Sequence, residues 1–208
     1  MLHHTKRHII WVFALFLISC NGNSPTHDQP STMQKSAKRG VSFNFTNIQD
    51  LPLLSPAISW SYNWANDQNS TSALWFDTNE MDFCPMCWNG SYSAAKIRQY
   101  VQEHPNTKYL LGFNEPNPTD QCNMTPVQAA EQWPQVVALA RELNLKLISP
   151  AMNYGTLAGY HDPIKWLDEF FSIVPIEDVD GIAIHCYMAS PQALKSYVQR
   201  FYKYNLPI

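Results

Sequence analysis

The chain is poor in glycine and in clustered positive charge, and these two shortages exclude whole classes of function. Only seven of its 208 residues are glycine, and no predicted strand is followed by the glycine-rich turn that cradles a phosphate or a dinucleotide. The 14 basic side chains are scattered and are outnumbered by 17 acidic ones, so no basic surface for a nucleic acid is predicted. We expect no cofactor and no nucleic-acid partner.

No apolar run is long enough to cross a membrane as a mature helix, and the longest one near the N-terminus has another interpretation. Two basic residues precede the short uncharged segment 9–18, which is the pattern of a secretion signal. The segment closes on Cys20 and looks like a bacterial lipobox; an ordinary signal peptide with an incidental cysteine is the alternative. We predict a lipoprotein signal peptide over residues 1–19, lipidation of Cys20 and a flexible polar tether over residues 20–38.

On this interpretation the protein is secreted across a bacterial inner membrane and touches a membrane only through its lipid. The predicted cleavage removes two basic side chains and leaves 12 basic and 17 acidic ones, a formal charge of −5. Residues 39–208 suffice for one domain with a hydrophobic core. We expect a monomer anchored in the cell envelope, at the outer membrane or the cell surface, and the sequence does not decide between the two membrane leaflets.

Cys84 and Cys87 form a Cys-x-x-Cys pair, a spacing typical of zinc and redox sites. They lie in an apolar segment that is predicted to be a strand, where residues three apart point to opposite faces. No helix is predicted to begin there, as a thioredoxin-type site would require. We therefore expect no metal site; Cys122 and Cys186 could pair in an oxidising compartment, but the sequence does not fix any disulfide.

Six short apolar runs alternate with segments of helical periodicity from about residue 40 onwards. Most of the runs are continuously apolar, which is typical of strands buried on both faces of a parallel sheet. The predicted strands are 40–45, 57–62, 83–88, 109–114, 145–152 and 180–187. The predicted helices are 93–104, 125–144, 163–171 and 191–204. An open doubly wound sheet and part of a closed α/β barrel both fit this alternation.

Polar and aromatic side chains gather at the C-terminal ends of the predicted strands, where α/β barrels place their active sites. The fourth strand ends in Asn114, Glu115 and Pro116. Because proline cannot donate to a ladder, it marks the end of the strand, and a carboxylate there is a candidate general acid. A solvated surface turn is the alternative for these residues taken alone. The other strand ends carry Asn44, Tyr62, Trp64, Trp88, His185 and Tyr187.

Eight sequence fragments, in order, resemble the catalytic core of glycoside hydrolase family 128, a clan A family of β-1,3-glucanases. They include Ser59-x-x-Tyr62-Asn63-Trp64, Gly112-Phe113-Asn114-Glu115-Pro116, Gln121-x-Asn123-Met124 and Ile184-His185-x-Tyr187. Each fragment alone is weakly specific, but the occurrence of all eight in this order makes the resemblance specific. The resemblance covers residues 39–208 and implies a (β/α)8 TIM barrel, of which this chain contains about the first six βα units.

The resemblance also implies an activity and the residues that carry it. The implied activity is that of a retaining endo-β-1,3-glucanase acting on laminarin-type β-glucan. Glu115 would be the general acid/base, and Asn114 would bind the 2-hydroxyl of the sugar. Substrate binding is implied for Asn44, Tyr62, Trp64, Trp88, His185 and Tyr187. The expected partner is a β-glucan polysaccharide or oligosaccharide.

The second carboxylate of a retaining glycosidase is the main departure from the family pattern. The family places this nucleophile at the end of the seventh strand, and the sequence reaches Pro207 and Ile208, the first residues of that segment. Asp120 and Asp162 are predicted in rim loops, but nothing in the resemblance gives them the role. We expect the nucleophile just beyond residue 208 and no activity from this exact chain. A non-catalytic, surface-anchored β-glucan-binding protein is the alternative.

Overall fold

Parallel strands and outer helices alternate along the part of the chain that the computed structural model describes, residues 34–47 and 49–208. All of these belong to one compact unit, Met33–Ile208. The predicted signal peptide, Cys20 and most of the predicted tether lie outside the described residues. Within the described ones, no helix has both the length and the apolar character needed to span a membrane.

Five strands and six α-helices are present in this region. The strands are β1 (Ser36–Ser42), β2 (Ile58–Tyr62), β3 (Asp82–Phe83), β4 (Tyr109–Leu111) and β5 (Lys146–Ile148). The helices are α1 (Asp50–Leu54), α2 (Ser70–Thr78), α3 (Ala94–Glu103), α4 (Pro126–Glu142), α5 (Pro163–Ile173) and α6 (Pro191–Gln199). Two short 3₁₀ helices, Ile176–Asp178 and Arg200–Tyr204, follow α5 and α6.

All strand pairings are parallel and follow the order of the chain. β1, β2 and β3 form one sheet, and β4 and β5 form another. Single parallel bridges continue this order: Met86 pairs with Leu111 between β3 and β4, and Gly181 pairs with Ile148 beyond β5. Sequential parallel pairing with helices between the strands is the connectivity of an α/β barrel. The described residues therefore form part of such a barrel.

The strands are shorter than the sequence predicts, and bridges replace the sixth one. β3 spans only Asp82–Phe83 and shares a single residue, Phe83, with the predicted strand 83–88, because Pro85 has no amide hydrogen to give to the ladder. In the predicted strand 180–187, pairing is limited to bridges at Gly181 and Ile184. At the other end, β1 begins at Ser36, inside the predicted tether, and ends at Ser42 rather than at residue 45.

The helices agree with the sequence where strong start signals are present. α4 begins with Thr125 as N-cap in a capping box with Gln128, and Pro126 occupies its first turn. The sequence missed α1 and α2. In α2 the N-cap is Asn69, whose side chain accepts from the Ser72 amide at 2.9 Å. The first residues of this helix are polar and resemble a loop, so the apolar face of the helix is hard to recognise from the sequence.

Aromatic packing fixes the outer face of β4, the strand that leads to Glu115. Trp133 and Phe170 meet edge to face with ring centroids 5.2 Å apart, and Trp166 stacks on Phe170 at 5.2 Å. All three are fully buried between β4, β5 and the helices α4 and α5. The indole N–H of Trp166 donates to the Met124 carbonyl at 2.9 Å, which satisfies a buried polar group that would otherwise be costly.

The inner face of the strands opens into a cleft of about 1030 Å³. Trp60 and Ile182 line its apolar sides, and Tyr62 and His185 also contribute to its wall. The Ile182 amide donates to the Pro207 carbonyl at 2.8 Å, which brings the end of the chain alongside the sixth predicted strand. Glu115 is not among the residues that line this cleft.

Candidate active site

The segment that follows β4 is buried over seven consecutive residues, 112–118. Backbone hydrogen bonds tie it to both neighbours. The Asn114 amide donates to the Trp88 carbonyl at 2.9 Å, and the Glu115 amide donates to the Ala151 carbonyl at 3.0 Å. Gly112 permits a close approach to the next strand, because a Cβ there would lie 2.7 Å from the Ile148 carbonyl oxygen. The strand end is therefore held in place on both sides.

Glu115 stands in a left-handed backbone conformation, with φ at +44°. This region is uncommon for residues other than glycine, costs on the order of 1 kcal/mol or more, and is found preferentially at active sites. The residue is only 7% exposed. Its Oε1 lies 2.5 Å from Nδ1 of His185, which comes from the sixth predicted strand. The structure thus brings together two side chains that the sequence placed at separate strand ends.

Tyr62 and Tyr187 lie in the electrostatic neighbourhood of Glu115. Burial raises the pKa of the Tyr62 hydroxyl, a hydrogen bond with Ser42 lowers it, and the nearby Tyr187 and Glu115 raise it further. Burial and the Glu115 charge also raise the pKa of Tyr187, although this side chain is 75% exposed. The His185 and Tyr187 rings are 6.4 Å apart. Both phenols therefore stay protonated and able to donate beside Glu115.

The remaining predicted residues lie at the same edge of the sheet, with different contacts. Trp64 has φ at +60° and meets Tyr62 edge to face at 5.3 Å. Trp88 is partly buried, and its carbonyl accepts from Asn114. Asn44 is exposed two residues after β1, and no hydrogen bond or ion pair in the described residues joins it to Glu115. Trp64 thus contacts Tyr62, which lies in the electrostatic neighbourhood of Glu115, whereas Asn44 has no such connection.

Asn114 has an unused acceptor. Its Nδ2 donates to Oε1 of Gln121 at 3.1 Å, whereas its Oδ1 is buried and has no partner among the described residues. Such a buried oxygen is costly unless a ligand or water satisfies it. Gln121 belongs to one of the fragments that carry the family resemblance, but nothing in its sequence context indicated a role for it.

Asn117 was also missed by the sequence interpretation. It is completely buried, and its Nδ2 donates to the carbonyls of Asn153 at 2.6 Å and Tyr160 at 3.3 Å. These hydrogen bonds connect the loop after β5 to the segment that contains Glu115. The available signal was an asparagine between two prolines, Pro116 and Pro118, directly after the candidate acid.

Other carboxylates near the rim have partners of their own. Asp162 caps α5 by accepting from the Ile164 amide, and both its oxygens lie 2.6 Å from Nη2 of Arg200. Asp120 is exposed. In the part of the chain that the structure describes, no hydrogen bond or ion pair joins Glu115 to a second carboxyl group. The site as described therefore has one candidate proton-transfer carboxylate.

The cysteines are all unbonded in the described region. Burial raises the pKa of the Cys84 thiol to about 12 and also raises that of Cys87, so both are protonated and poorly suited to metal or redox chemistry. Cys122 and Cys186 are not joined to each other, and Sγ of Cys122 lies 3.1 Å from Sδ of Met124. No cluster of three potential metal ligands occurs among the described residues.

Taken together, the arrangement suits acid chemistry on a polyhydroxylated ligand. A buried carboxyl group beside an imidazole can hold or release a proton. An unpartnered amide oxygen can accept a hydroxyl, and exposed aromatic rings beside it offer apolar faces. These are the components expected of a sugar-processing site, and no metal is needed for any of them.

Known proteins share this chain's sequence pattern and fold. A family model described as glycosyl hydrolase catalytic core matches residues 40–208. A subgroup II endo-β-1,3-glucanase of glycoside hydrolase family 128 from Pseudomonas viridiflava is 37% identical, with 84% of this chain and 69% of that one covered and a TM-score of 0.77. The corresponding enzyme from Sorangium cellulosum is 32% identical, with 82% and 70% covered and a TM-score of 0.69.

A third structure adds a ligand. It is a subgroup I endo-β-1,3-glucanase of the same family from Amycolatopsis mediterranei in complex with laminaritriose. It is 27% identical to this chain, with 85% of this chain and 69% of that one covered and a TM-score of 0.59. A comparison with curated protein sequences finds no match.

Proposed function

The chain belongs to glycoside hydrolase family 128, within the glycosyl hydrolase catalytic cores, and we propose that it acts on β-1,3-glucan with Glu115 as the general acid/base. The observation that carries the proposal is the placement of Glu115: buried at the end of β4, in a strained backbone conformation, and 2.5 Å from His185. Contact with His185 occupies one carboxyl oxygen. The other oxygen is left to give its proton to the glycosidic oxygen.

Substrate contacts follow from the groups around that carboxyl. The unpartnered Oδ1 of Asn114 is an acceptor for the sugar 2-hydroxyl, a bond that strengthens as the oxocarbenium ion forms. The phenol groups of Tyr62 and Tyr187 remain protonated and can donate to sugar oxygens. Further ring and edge contacts to glucose come from Trp64, Trp88 and His185, with Asn44 at the periphery.

The reaction is proposed to retain the anomeric configuration, which requires a second carboxylate about 5–5.5 Å from the first. Asp162 is bound to Arg200 and Asp120 is exposed, so neither is offered as this nucleophile. We place it at the end of the seventh strand, whose pairing position beside Ile182 is taken by Pro207. On this proposal residues 34–208 supply the acid/base half of the mechanism.

Azide provides a test, because it can attack the anomeric carbon when no carboxylate does. The purified chain is incubated with laminarihexaose and sodium azide. Azide forms the C–N bond as the C–O bond breaks, and the Glu115 proton goes to the leaving oxygen. We expect an α-glycosyl azide product, no product without azide, and no product from the β-1,4-linked control cellohexaose.

Two variants make the test specific. Glu115→Gln should lower the rate by about 10²–10⁴-fold, the usual contribution of a general acid. Glu177→Gln, which changes an exposed glutamate in a 3₁₀ helix, should leave the rate unchanged. Hydrolysis without azide and with retention would place the nucleophile within the chain. Glucan binding with no product under any condition would favour a non-catalytic glucan-binding protein.

We further propose that the mature protein is a monomer held in the bacterial cell envelope by lipid on Cys20, outside the described residues. The support is the uncharged segment 9–18 that closes on this cysteine. Expression in a bacterial host with radiolabelled palmitate should label the protein, and Cys20→Ser should remove the label. Equal labelling of both would contradict lipidation at this residue.

A further inference from the structure

We propose that Tyr154 forms a glucose-binding platform of its own at the rim, outside the residues that surround Glu115. The inference deepens the proposed function, since it names a further subsite for the same β-1,3-glucan. Tyr154 follows the β5 region at the edge where Glu115 lies, because the Ala151 carbonyl, three residues earlier, accepts from the Glu115 amide. Its side chain is 51% exposed.

The Tyr154 ring is braced although it is half exposed. It packs against Tyr197 with ring centroids 5.2 Å apart, and its hydroxyl accepts from Nη1 of Arg200 at 3.2 Å. Arg200 is itself fixed by Asp162, with both carboxylate oxygens 2.6 Å from Nη2. An exposed aromatic ring normally loses rotational freedom when a ligand stacks on it. A ring that is already fixed loses less, and this preorganisation favours binding.

The loop beneath Tyr154 is also fixed relative to Glu115. Asn117, two residues after Glu115, donates to the carbonyl of Asn153, and its own carbonyl accepts from Leu157 at 2.9 Å. Gly155 permits this approach, because a Cβ there would overlap the Asn117 backbone and amide. The acid and the ring are thus connected through one buried asparagine, so their separation is set by packing rather than by a free loop.

The chemistry around the ring suits a glucosyl unit. The apolar face of a pyranose stacks on an aromatic ring, and its hydroxyls need charged or polar partners at the edge. Tyr154 supplies the ring, and the Arg200–Asp162 pair supplies donors and acceptors beside it. A platform at the rim would be reached only by a glucan long enough to extend beyond the residues around Glu115.

Calorimetric titration of the chain with laminari-oligosaccharides of increasing length tests this. Tyr154→Ala should weaken binding of laminarihexaose by about tenfold and leave the shortest oligosaccharide that binds unaffected. Tyr154→Phe, which keeps the ring and loses only the hydroxyl that accepts from Arg200, should bind within about twofold of the parent chain. Tyr109→Ala is the matched control, since this exposed tyrosine begins β4, roughly 20 Å along the chain from Glu115.

The other outcomes of the titration distinguish failure of the Tyr154 platform from failure of the proposed function. If the parent chain binds oligosaccharides and Tyr154→Ala binds the hexaose equally well, or weakens every length alike, the platform is refuted while the proposed function stands. Loss of affinity in Tyr154→Phe equal to that in Tyr154→Ala would also refute stacking. If no laminari-oligosaccharide binds the parent chain, the proposed function itself fails. Tyr154→Leu replaces the alanine variant if the latter has a lowered melting temperature.

Discussion

Replacing Gly112 with alanine should disturb the connection between β4 and β5 that holds the Glu115 segment. A Cβ on Gly112 would lie 2.7 Å from the Ile148 carbonyl oxygen, 2.7 Å from Cη2 of Trp133 and 3.0 Å from the carbonyl carbon of Ser149. Two of these neighbours are backbone atoms at and directly after the end of β5, and the third belongs to a buried indole. None of them is the free end of a flexible side chain, so the strands have to separate.

The loss of stability in Gly112→Ala follows from the rigidity of these neighbouring atoms. Overpacking a close-packed interior typically costs about 1–3 kcal/mol, and we expect the upper half of that range because the Gly112 amide also donates to the Ile148 carbonyl at 3.1 Å. For a chain of this size the melting temperature should fall by roughly 4–12 °C. Thermal unfolding followed by circular dichroism, together with urea unfolding at fixed pH, measures both quantities.

Gly90→Ala is the matched control for this experiment. Its added Cβ would overlap the side-chain amide of Gln132, which can rotate away because it is the end of a flexible chain. We expect Gly90→Ala to change stability by less than about 0.5 kcal/mol. If Gly112→Ala is as stable as Gly90→Ala, the close approach of β4 and β5 does not constrain the site, and the reasoning about its rigidity is wrong.

Two further predictions concern buried groups. Burial raises the pKa of the Cys84 thiol from 9.0 to about 12, so the contribution of this group to the free energy of unfolding is complete below pH 9.0 and is lost as the pH rises toward 12. In Cys84→Ala the free energy of unfolding should therefore fall less steeply with pH over that range. An unchanged slope of free energy against pH would contradict this. Trp166→Phe should destabilise by about 2–3 kcal/mol in urea, because it leaves the buried Met124 carbonyl unpaired, whereas Trp75→Phe on α2 should have little effect.

The order of the elements was predictable from the sequence, and the lengths of the strands were not. Continuous apolar runs alternating with segments of helical periodicity correctly indicated parallel βα units, and the predicted helix 125–144 agrees with α4. The runs did not reveal where pairing stops. Pro85 interrupts the ladder after β3, and pairing in 180–187 is reduced to two bridges, because ladder geometry depends on neighbours that are distant in the sequence.

In the candidate site, individual residues were predictable from the sequence, but the contacts between them were not. Strand ends identified Asn114, Glu115 and His185 as separate candidates, and the family they indicated is confirmed by the comparisons. The 2.5 Å contact between Glu115 and His185, separated by 70 residues, has no local signal. The same holds for Asn117, whose importance comes from the carbonyls of a different loop. Residues that act by joining two loops are recognised only once the loops are in place.

The most direct test of the central claim, that Glu115 donates the proton to the leaving group, is a comparison of leaving groups. The parent chain and Glu115→Gln are assayed with azide on laminarihexaose and on dinitrophenyl β-laminaribioside, whose leaving group needs no proton. We predict that Glu115→Gln loses about 10²–10⁴-fold on the hexaose and less than about tenfold on the dinitrophenyl substrate. Equal losses on both substrates would contradict the assignment.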